Sequence, residues 1–145
     1  MGYETLPENA VLDAWLEAQE YQVPLNSQGK IIDFLEPDRL RENTPEERIR
    51  QKTGQFLHYE LGYPKKLMAF ERTINIGRDR PRVDIVVYLD SEANAVNDQG
   101  RMYFIGETKS PLEDSPDGQG KSYISATSAQ GGFWTNGNSI IYYRK

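Results

Sequence analysis

Three polar residues interrupt two apolar runs of this chain and are of types that can hold a divalent metal beside a cation. Asp84 stands within Arg82–Tyr88 (RVDIVVY), and Glu107 and Lys109 stand at the end of Met102–Lys109 (MYFIGETK). Both runs are typical of β-strands, in which residues two apart project from the same face. We therefore expect Glu107 and Lys109 to point the same way.

These residue types indicate phosphate chemistry. Carboxylates are hard oxygen ligands that suit Mg²⁺ or Mn²⁺. Such a metal polarises a phosphoryl oxygen and lowers the pKa of an attacking water. A lysine beside it can position that water or neutralise charge in the transition state. The set suits cleavage of a phosphodiester bond, although a lone Glu-x-Lys is commonly a surface ion pair, so the rest of the chain must decide.

The elements that must position these residues are predicted from periodicity and turn signals. Helices are expected over residues 7–20, 45–60 and 119–129, and strands over 31–35, 67–76, 83–89 and 101–109. Thr44 caps the second helix, Pro45 occupies its first position, and its inward residues are Ile49, Thr53, Phe56 and Leu57. Residues 77–81 are expected to turn, residues 91–100 and 111–118 to form loops, and residues 133–143 a closing hairpin.

Length and composition bound the possible functions. A chain of 145 residues is long enough for one domain with a substantial core. With no cysteine, disulfides and thiolate metal sites are excluded, and a reducing cytoplasm fits. We expect no membrane span, because no run approaches the roughly 18 apolar residues that one requires.

The net charge of −5 is unevenly distributed. Residues 1–37 carry −6, residues 38–82 carry +4, and residues 83–145 carry −3. The basic middle segment includes Arg78 and Arg80, which we predict to contact a phosphate backbone. A solvated basic face without a ligand is the alternative.

Five motifs in order resemble a known family. They are Thr44–Gln51 (TPEERIRQ) with Leu61–Pro64 (LGYP), Arg82–Val86, Gly106–Lys109, Gln119–Tyr123 (QGKSY) and Thr135–Gly137 (TNG). In this order they resemble the nuclease domain of type I restriction enzyme R subunits, which belongs to the PD-(D/E)XK nuclease superfamily. One departure is that no proline adjoins Asp84, since Pro81 lies three residues upstream.

The resemblance implies an α/β fold: a three-layer, restriction-endonuclease-like arrangement with a central mixed β-sheet flanked by helices. Residues 44–145 would form the nuclease core of a single domain, and residues 1–43 an extension packed on it. Asp84 and Glu107 would bind Mg²⁺ or Mn²⁺, with Lys109 assisting. An acid of the second helix would complete the site. Helix phase places Glu46 on the inward side and leaves the capping box to Glu47, but both stay open.

Two further residues acquire roles from the resemblance alone. Gln119 and Tyr123, four apart on one helix face, would lie near the catalytic centre and touch DNA. The alternative is a solvent-facing glutamine and a half-buried tyrosine.

The implied function is metal-dependent DNA cleavage in the cytoplasm, as the endonuclease domain of an R subunit. Its partners would be DNA, a translocase domain, and modification and specificity subunits. No translocase motif is present, and Gly120-Lys121-Ser122 lacks the earlier glycine and the adjoining strand of a nucleotide-binding loop, so ATP is not expected to bind. The alternative is a catalytically silent nucleic-acid-binding or assembly module on the same fold.

Overall fold

The computed structural model describes residues 8–112 and 119–144, without the side chains of residues 8–12 and 119–122. The chain divides into two compact units, which meet in sequence between Tyr63 and Pro64. The predicted loop at 111–118 lies largely outside the described residues. The prediction of a single domain, with residues 1–43 as an extension, stays a prediction.

The first unit is built around two helices. Its elements are α1 (Glu8–Ala18), β1 (Ile31–Ile32), β2 (Leu40–Arg41) and α2 (Pro45–Tyr59), and β1 pairs antiparallel with β2. Trp15 of α1 is fully buried and meets Phe56 of α2 edge-on, with ring centroids 5.6 Å apart. The four residues predicted to face inward on α2 are all buried, so its apolar face is confirmed. The short β2 was not predicted, and β1 is shorter than expected.

Helix α2 begins where its capping residues indicate. The backbone N–H of Glu47 donates to Oγ1 of Thr44 at 3.1 Å, and Pro45 stands at the start of the helix. This arrangement satisfies an N–H that the helix itself leaves without a partner. Gly62 follows the helix with φ of 81°, a backbone conformation that glycine adopts without penalty.

The second unit is a five-stranded sheet in the order β3-β4-β5-β6-β7. Its strands are β3 (Met68–Thr73), β4 (Arg82–Tyr88), β5 (Met102–Thr108), β6 (Gly131–Thr135) and β7 (Ile140–Arg144). Strands β5 and β6 are parallel and the other neighbours antiparallel, which makes the sheet mixed. Helices α3 (Ser91–Val96) and α4 (Gln119–Ala126) pack against it. The prediction of an α/β fold with a central mixed sheet is confirmed.

The prediction of a loop over residues 91–100 is wrong. Helix α3 occupies residues 91–96, and its N-cap Asp90 accepts a hydrogen bond from the N–H of Ala93 at 2.8 Å. A 3₁₀ turn follows at Gln99–Arg101. The helix has six residues, of which only Ala93 is buried, so the sequence carries no apolar periodicity that would reveal it.

Two glycines allow close contacts beside the end of β5. A Cβ atom on Gly106 would stand 2.2 Å from Cζ of Phe133, whose ring packs against Phe104. A Cβ atom on Gly132 would stand 2.3 Å from the carbonyl oxygen of Ile105, its partner in the parallel pair. Backbone cannot move aside as a side chain can, so Gly132 fixes the approach of β6 to β5.

Within the described residues, no helix is both long and apolar enough to span a bilayer.

We predict that Gly132→Ala lowers the free energy of unfolding by about 1–3 kcal/mol, the usual cost of overpacking a core. The added methyl group must push β5 and β6 apart, because its nearest contact is the Ile105 backbone. Urea denaturation measures the loss. Gly100→Ala is the matched control, since its Cβ would lie 3.4 Å from the nearest atom. Equal stability of the two variants would contradict this account of the strand contact.

Candidate functional site

Strand register brings Asp84 and Glu107 together. Ile85 of β4 pairs with Gly106 of β5, so the next residues outward, Asp84 and Glu107, face each other across the antiparallel pair. Opposite residues of such a pair project on the same side of the sheet. Ile85 and Gly106 form the outermost backbone pair of the two strands, and beyond it Oδ2 of Asp84 accepts the N–H of Thr108 at 2.9 Å. The Asp84 carboxylate therefore links β4 to β5 at the point where their backbone pairing ends.

The two carboxyl groups are in hydrogen-bonding contact. The Glu107 carboxyl group shares a hydrogen bond with the Asp84 carboxyl group and also accepts one from the Asp84 backbone N–H. Its Oε1 atom is buried and has no hydrogen-bond partner within the described residues. Glu107 is only 6% exposed, whereas Asp84 is half-buried. An acceptor oxygen that is buried without a partner is costly and indicates that something else engages it.

Burial, the negative charge of Asp84 and the hydrogen bond shared with it together raise the pKa of Glu107 from 4.5 to about 10, with burial the largest cause. The positive charge of Lys109 opposes this rise. Two carboxylates so close cannot both be ionised in a desolvated place without a compensating charge. Around neutral pH the pair therefore holds one proton, unless a cation takes its place.

Lys109 completes the group that the sequence predicted. Its backbone N–H donates to the carbonyl oxygen of Thr135 at 2.8 Å, which continues the β5–β6 contact past Glu107. Its side chain is half-buried and close enough to influence the Glu107 carboxyl group electrostatically. Asp84, Glu107 and Lys109 thus lie close together, and the catalytic role of each stays a prediction.

The donor set fits a hard divalent cation that takes few protein ligands. Within the described residues, no group of three or more His, Cys, Asp or Glu side chains is arranged to hold a metal. The site offers a pair of carboxylates, one of which has the unpartnered oxygen. Mg²⁺ is commonly bound by one or two carboxylates, with water and substrate phosphate in the other positions. The residues present are therefore compatible with Mg²⁺ or Mn²⁺.

The helix-phase prediction for the acids of α2 is wrong. Glu47 is buried and Glu46 is half-buried, the reverse of the predicted orientation. Glu47 pairs with the Arg50 guanidinium, with Nε 2.9 Å from Oε2, and it accepts from Gln51 Nε2 at 3.1 Å. Nη1 of Arg41 lies 3.7 Å from Oε1 of Glu47. Two guanidiniums occupy its oxygens, so its observed contacts hold the first unit together, while a site role for Glu46 or Glu47 stays a prediction.

Tyr123 of α4 is 7% exposed and belongs to the apolar cluster that includes Val86, Ile105 and Ile124. Its packing against the sheet is more extensive than the half-buried alternative considered from sequence. The side chain of Gln119 lies outside the described residues. Contact of either residue with DNA stays a prediction.

The basic middle segment is only partly available to a ligand. Arg50 is buried against Glu47, and Arg72 donates to Asn94 and lies over the Tyr88 ring. Arg78 and Arg80, in contrast, are exposed in the β3–β4 turn. This turn leads into β4 two residues before Asp84, so it lies at the end of the sheet where the carboxyl pair stands.

One neighbour of the site was not indicated by the sequence. The β3–β4 register pairs Phe70 with Ile85 and Arg72 with Val83, which places Glu71 opposite Asp84. Glu71 is ion-paired with Arg82. The sequence shows acidic residues in both strands but not their register, so it could not reveal this row.

We predict that stability falls with rising pH because of Glu107. Its folded pKa is raised above the unfolded value, so the folded state binds the extra proton and loses stability between about pH 4.5 and pH 10. The slope approaches about 1.4 kcal/mol per pH unit. Glu107→Gln should flatten it and raise the melting temperature at pH 8 more than at pH 5, measured without divalent ions. Equal pH profiles of variant and wild type would contradict the assignment.

The comparisons with known proteins agree with the family predicted from sequence. The chain matches the family model described as the type I restriction enzyme R protein N terminus, over residues 45–145. Searches of curated proteins and of solved structures gave no match. The matched segment contains α2 and the whole five-stranded sheet, and with them the carboxyl pair and Lys109. The chain belongs to the family of type I restriction enzyme R protein N-terminal domains.

Proposed function

We propose that this chain is a metal-dependent DNA endonuclease domain of a type I restriction enzyme R subunit. The observation that carries the proposal is the carboxyl pair of Asp84 and Glu107, with Lys109 beside it and a buried Glu107 oxygen that has no hydrogen-bond partner among the described residues. A pair of acids with a nearby lysine at a strand end suits hydrolysis of a phosphodiester bond. The mixed sheet and the Glu-x-Lys strand also fit the PD-(D/E)XK nuclease superfamily.

Each of the three residues has a distinct task in this proposal. Asp84 and Glu107 hold Mg²⁺ or Mn²⁺, which when bound supplies a Lewis acid for the phosphoryl group and activates water. Asp84 also fixes the strand end, because it accepts the Thr108 N–H. Lys109 orients the attacking water or stabilises negative charge on the phosphoryl oxygens. Because Glu107 is buried, it must give up its proton before it can bind the cation.

DNA is proposed to approach along the exposed turn that carries Arg78 and Arg80. Both arginines are exposed to solvent. Contacts of this type go to the phosphate backbone and carry no sequence information. Target choice is therefore assigned to other subunits of the restriction complex, and movement along DNA to an ATP-driven translocase domain. The reaction is proposed to take place in the cytoplasm.

A catalytically silent binding or assembly module is the second candidate. The observation that favours it is the hydrogen bond between the carboxyl groups, which by itself joins β4 and β5 at their parting. In that case the Asp84–Glu107 pair serves structure, and divalent cations do not bind there. Metal binding therefore distinguishes the two functions.

We predict that Mn²⁺ binds to the chain at pH 8 with release of a proton from Glu107. Calorimetry in two buffers of different ionisation enthalpy measures both the affinity and the proton. Asp84→Asn and Glu107→Gln should each weaken binding at least about tenfold, since each removes one of two ligands. Asp79→Asn, at an exposed acid of the β3–β4 turn, is the control. Unchanged affinity in both site variants would refute the metal site.

We predict that Lys109→Ala lowers the rate of DNA cleavage by about a hundredfold or more while the fold persists. The cleavage assay should use the assembled restriction complex, because the proposed motor and specificity subunits deliver the substrate. Lys30→Ala, which removes a lysine ion-paired with Glu42, is the control. Cleavage at the wild-type rate by Lys109→Ala would rule out the role given to this lysine.

A further inference from the structure

Glu71 has an unusual backbone for a residue inside a strand. Its φ is 55°, in the left-handed region that costs little for glycine and more for a residue with a Cβ atom. Among the described residues, the other non-glycine residue with positive φ is Asn97, which ends helix α3, a common place for asparagine. Only Glu71 carries this conformation within a strand of the described sheet.

Glu71 stands in the same row as the carboxyl pair. The β3–β4 register places it opposite Asp84, and the β4–β5 register places Glu107 on the other side of Asp84. Three neighbouring strands therefore each contribute one acid to a row that crosses the sheet. Side chains in such a row are close enough to interact.

Arg82 joins this row diagonally. It precedes Asp84 by two residues on β4, so both side chains project from the same face. Its Nη1 atom donates to Oε2 of Glu71 at 3.0 Å. The Glu71 side chain is 20% exposed and that of Arg82 is 69% exposed. The guanidinium is therefore held on one side and accessible to a ligand on the other.

We propose that Arg82 contacts the DNA phosphate at this site and that Glu71 is the positioning residue that holds its guanidinium there. The inference rests on the proposed nuclease function. Arg82 precedes Asp84 by two residues on the same face of β4, so the carboxylates of the pair are alternative partners for its guanidinium. If it paired with them, it would compete with the metal for their oxygens. Glu71 provides another carboxylate and keeps Arg82 apart from the metal ligands.

The guanidinium is suited to this double contact. It has five N–H donors in a planar fork, so one edge can stay with Glu71 while others reach a phosphate oxygen. Arginine pairs with phosphate through parallel hydrogen bonds that fix its orientation. Arg82 thus adds an oriented cation beside Lys109, at the end of the sheet where Arg78 and Arg80 are exposed.

A simple surface ion pair does not account for the backbone of Glu71. Exposed pairs contribute little to stability because solvent screens them. Glycine at this position would relieve the left-handed strain, yet the chain has glutamate. Strain of this kind is found where function requires it. We therefore assign the Glu71 carboxylate the task of positioning the Arg82 guanidinium.

The test uses the 145-residue chain and four variants. Glu71→Gln removes the charge, Glu71→Gly also removes the strain, Arg82→Ala removes the guanidinium, and Glu71→Gln with Arg82→Ala removes both. Three quantities are measured: the melting temperature, the affinity for Mn²⁺, and the affinity for a DNA duplex in Ca²⁺ at several salt concentrations. Arg101→Ala, at the opposite end of β5, is the control for general loss of positive charge.

We expect Glu71→Gly to melt at or above the wild-type temperature and yet bind DNA about tenfold more weakly. Arg82→Ala should lower the salt slope by about 0.9, the value for one phosphate contact. Glu71→Gln should also weaken Mn²⁺ binding, because Arg82 turns to Asp84, and adding Arg82→Ala should restore it. A purely structural ion pair would not produce this rescue.

Two results would overturn the inference, and they are distinguishable. If Asp84→Asn abolishes Mn²⁺ binding but the Glu71 and Arg82 variants bind DNA and Mn²⁺ like wild type, the inference fails and the nuclease function stands. If Asp84→Asn binds Mn²⁺ like wild type, the metal site fails and the role of Glu71 fails with it.

Discussion

The close approach of the Asp84 and Glu107 carboxyl groups is the constraint on which the rest of this site depends. They meet where β4 and β5 part, and Glu107 is almost fully buried there. Two negative charges at hydrogen-bonding distance in a desolvated place require a positive partner, either a proton or a cation. The buried Glu107 oxygen, which has no hydrogen-bond partner in the part of the chain that the structure describes, is consistent with that requirement. Structure thus favours a site whose occupant carries positive charge.

The scaffold keeps this unfavourable pair in place by fixing the strands that carry it. Gly132 allows β6 to approach the backbone of Ile105, and Gly106 leaves room for the ring of Phe133. Both contacts lie within two residues of Glu107 along or across β5, so its backbone has little freedom. A site on rigid strands is more precise than one on loops. The carboxyl pair destabilises the fold, and the packing of the strands around it offsets that cost.

The sequence predicted the strands that carry Asp84 and Glu107, because both runs are apolar, with β-branched and aromatic residues, around these polar residues. It failed where the decisive information is tertiary. Helix α3 has too few buried residues to show a period, and the acids of α2 were assigned to the wrong sides because Arg41, distant in sequence, approaches Glu47. Strand register, which places Glu71 opposite Asp84, is likewise set by packing and turn geometry.

The row of acids across three strands also explains why basic residues surround them. Glu71, Asp84 and Glu107 are flanked by Arg82 and Lys109, so the fixed charges nearly balance when Glu107 keeps its proton. Replacing that proton by a divalent cation leaves the site with positive charge that a phosphate can neutralise. In the proposed nuclease, the residues that compensate the acids also attract an anionic substrate. Under the proposed function, cation binding and phosphate binding would favour each other, because each would correct the charge imbalance that the other creates.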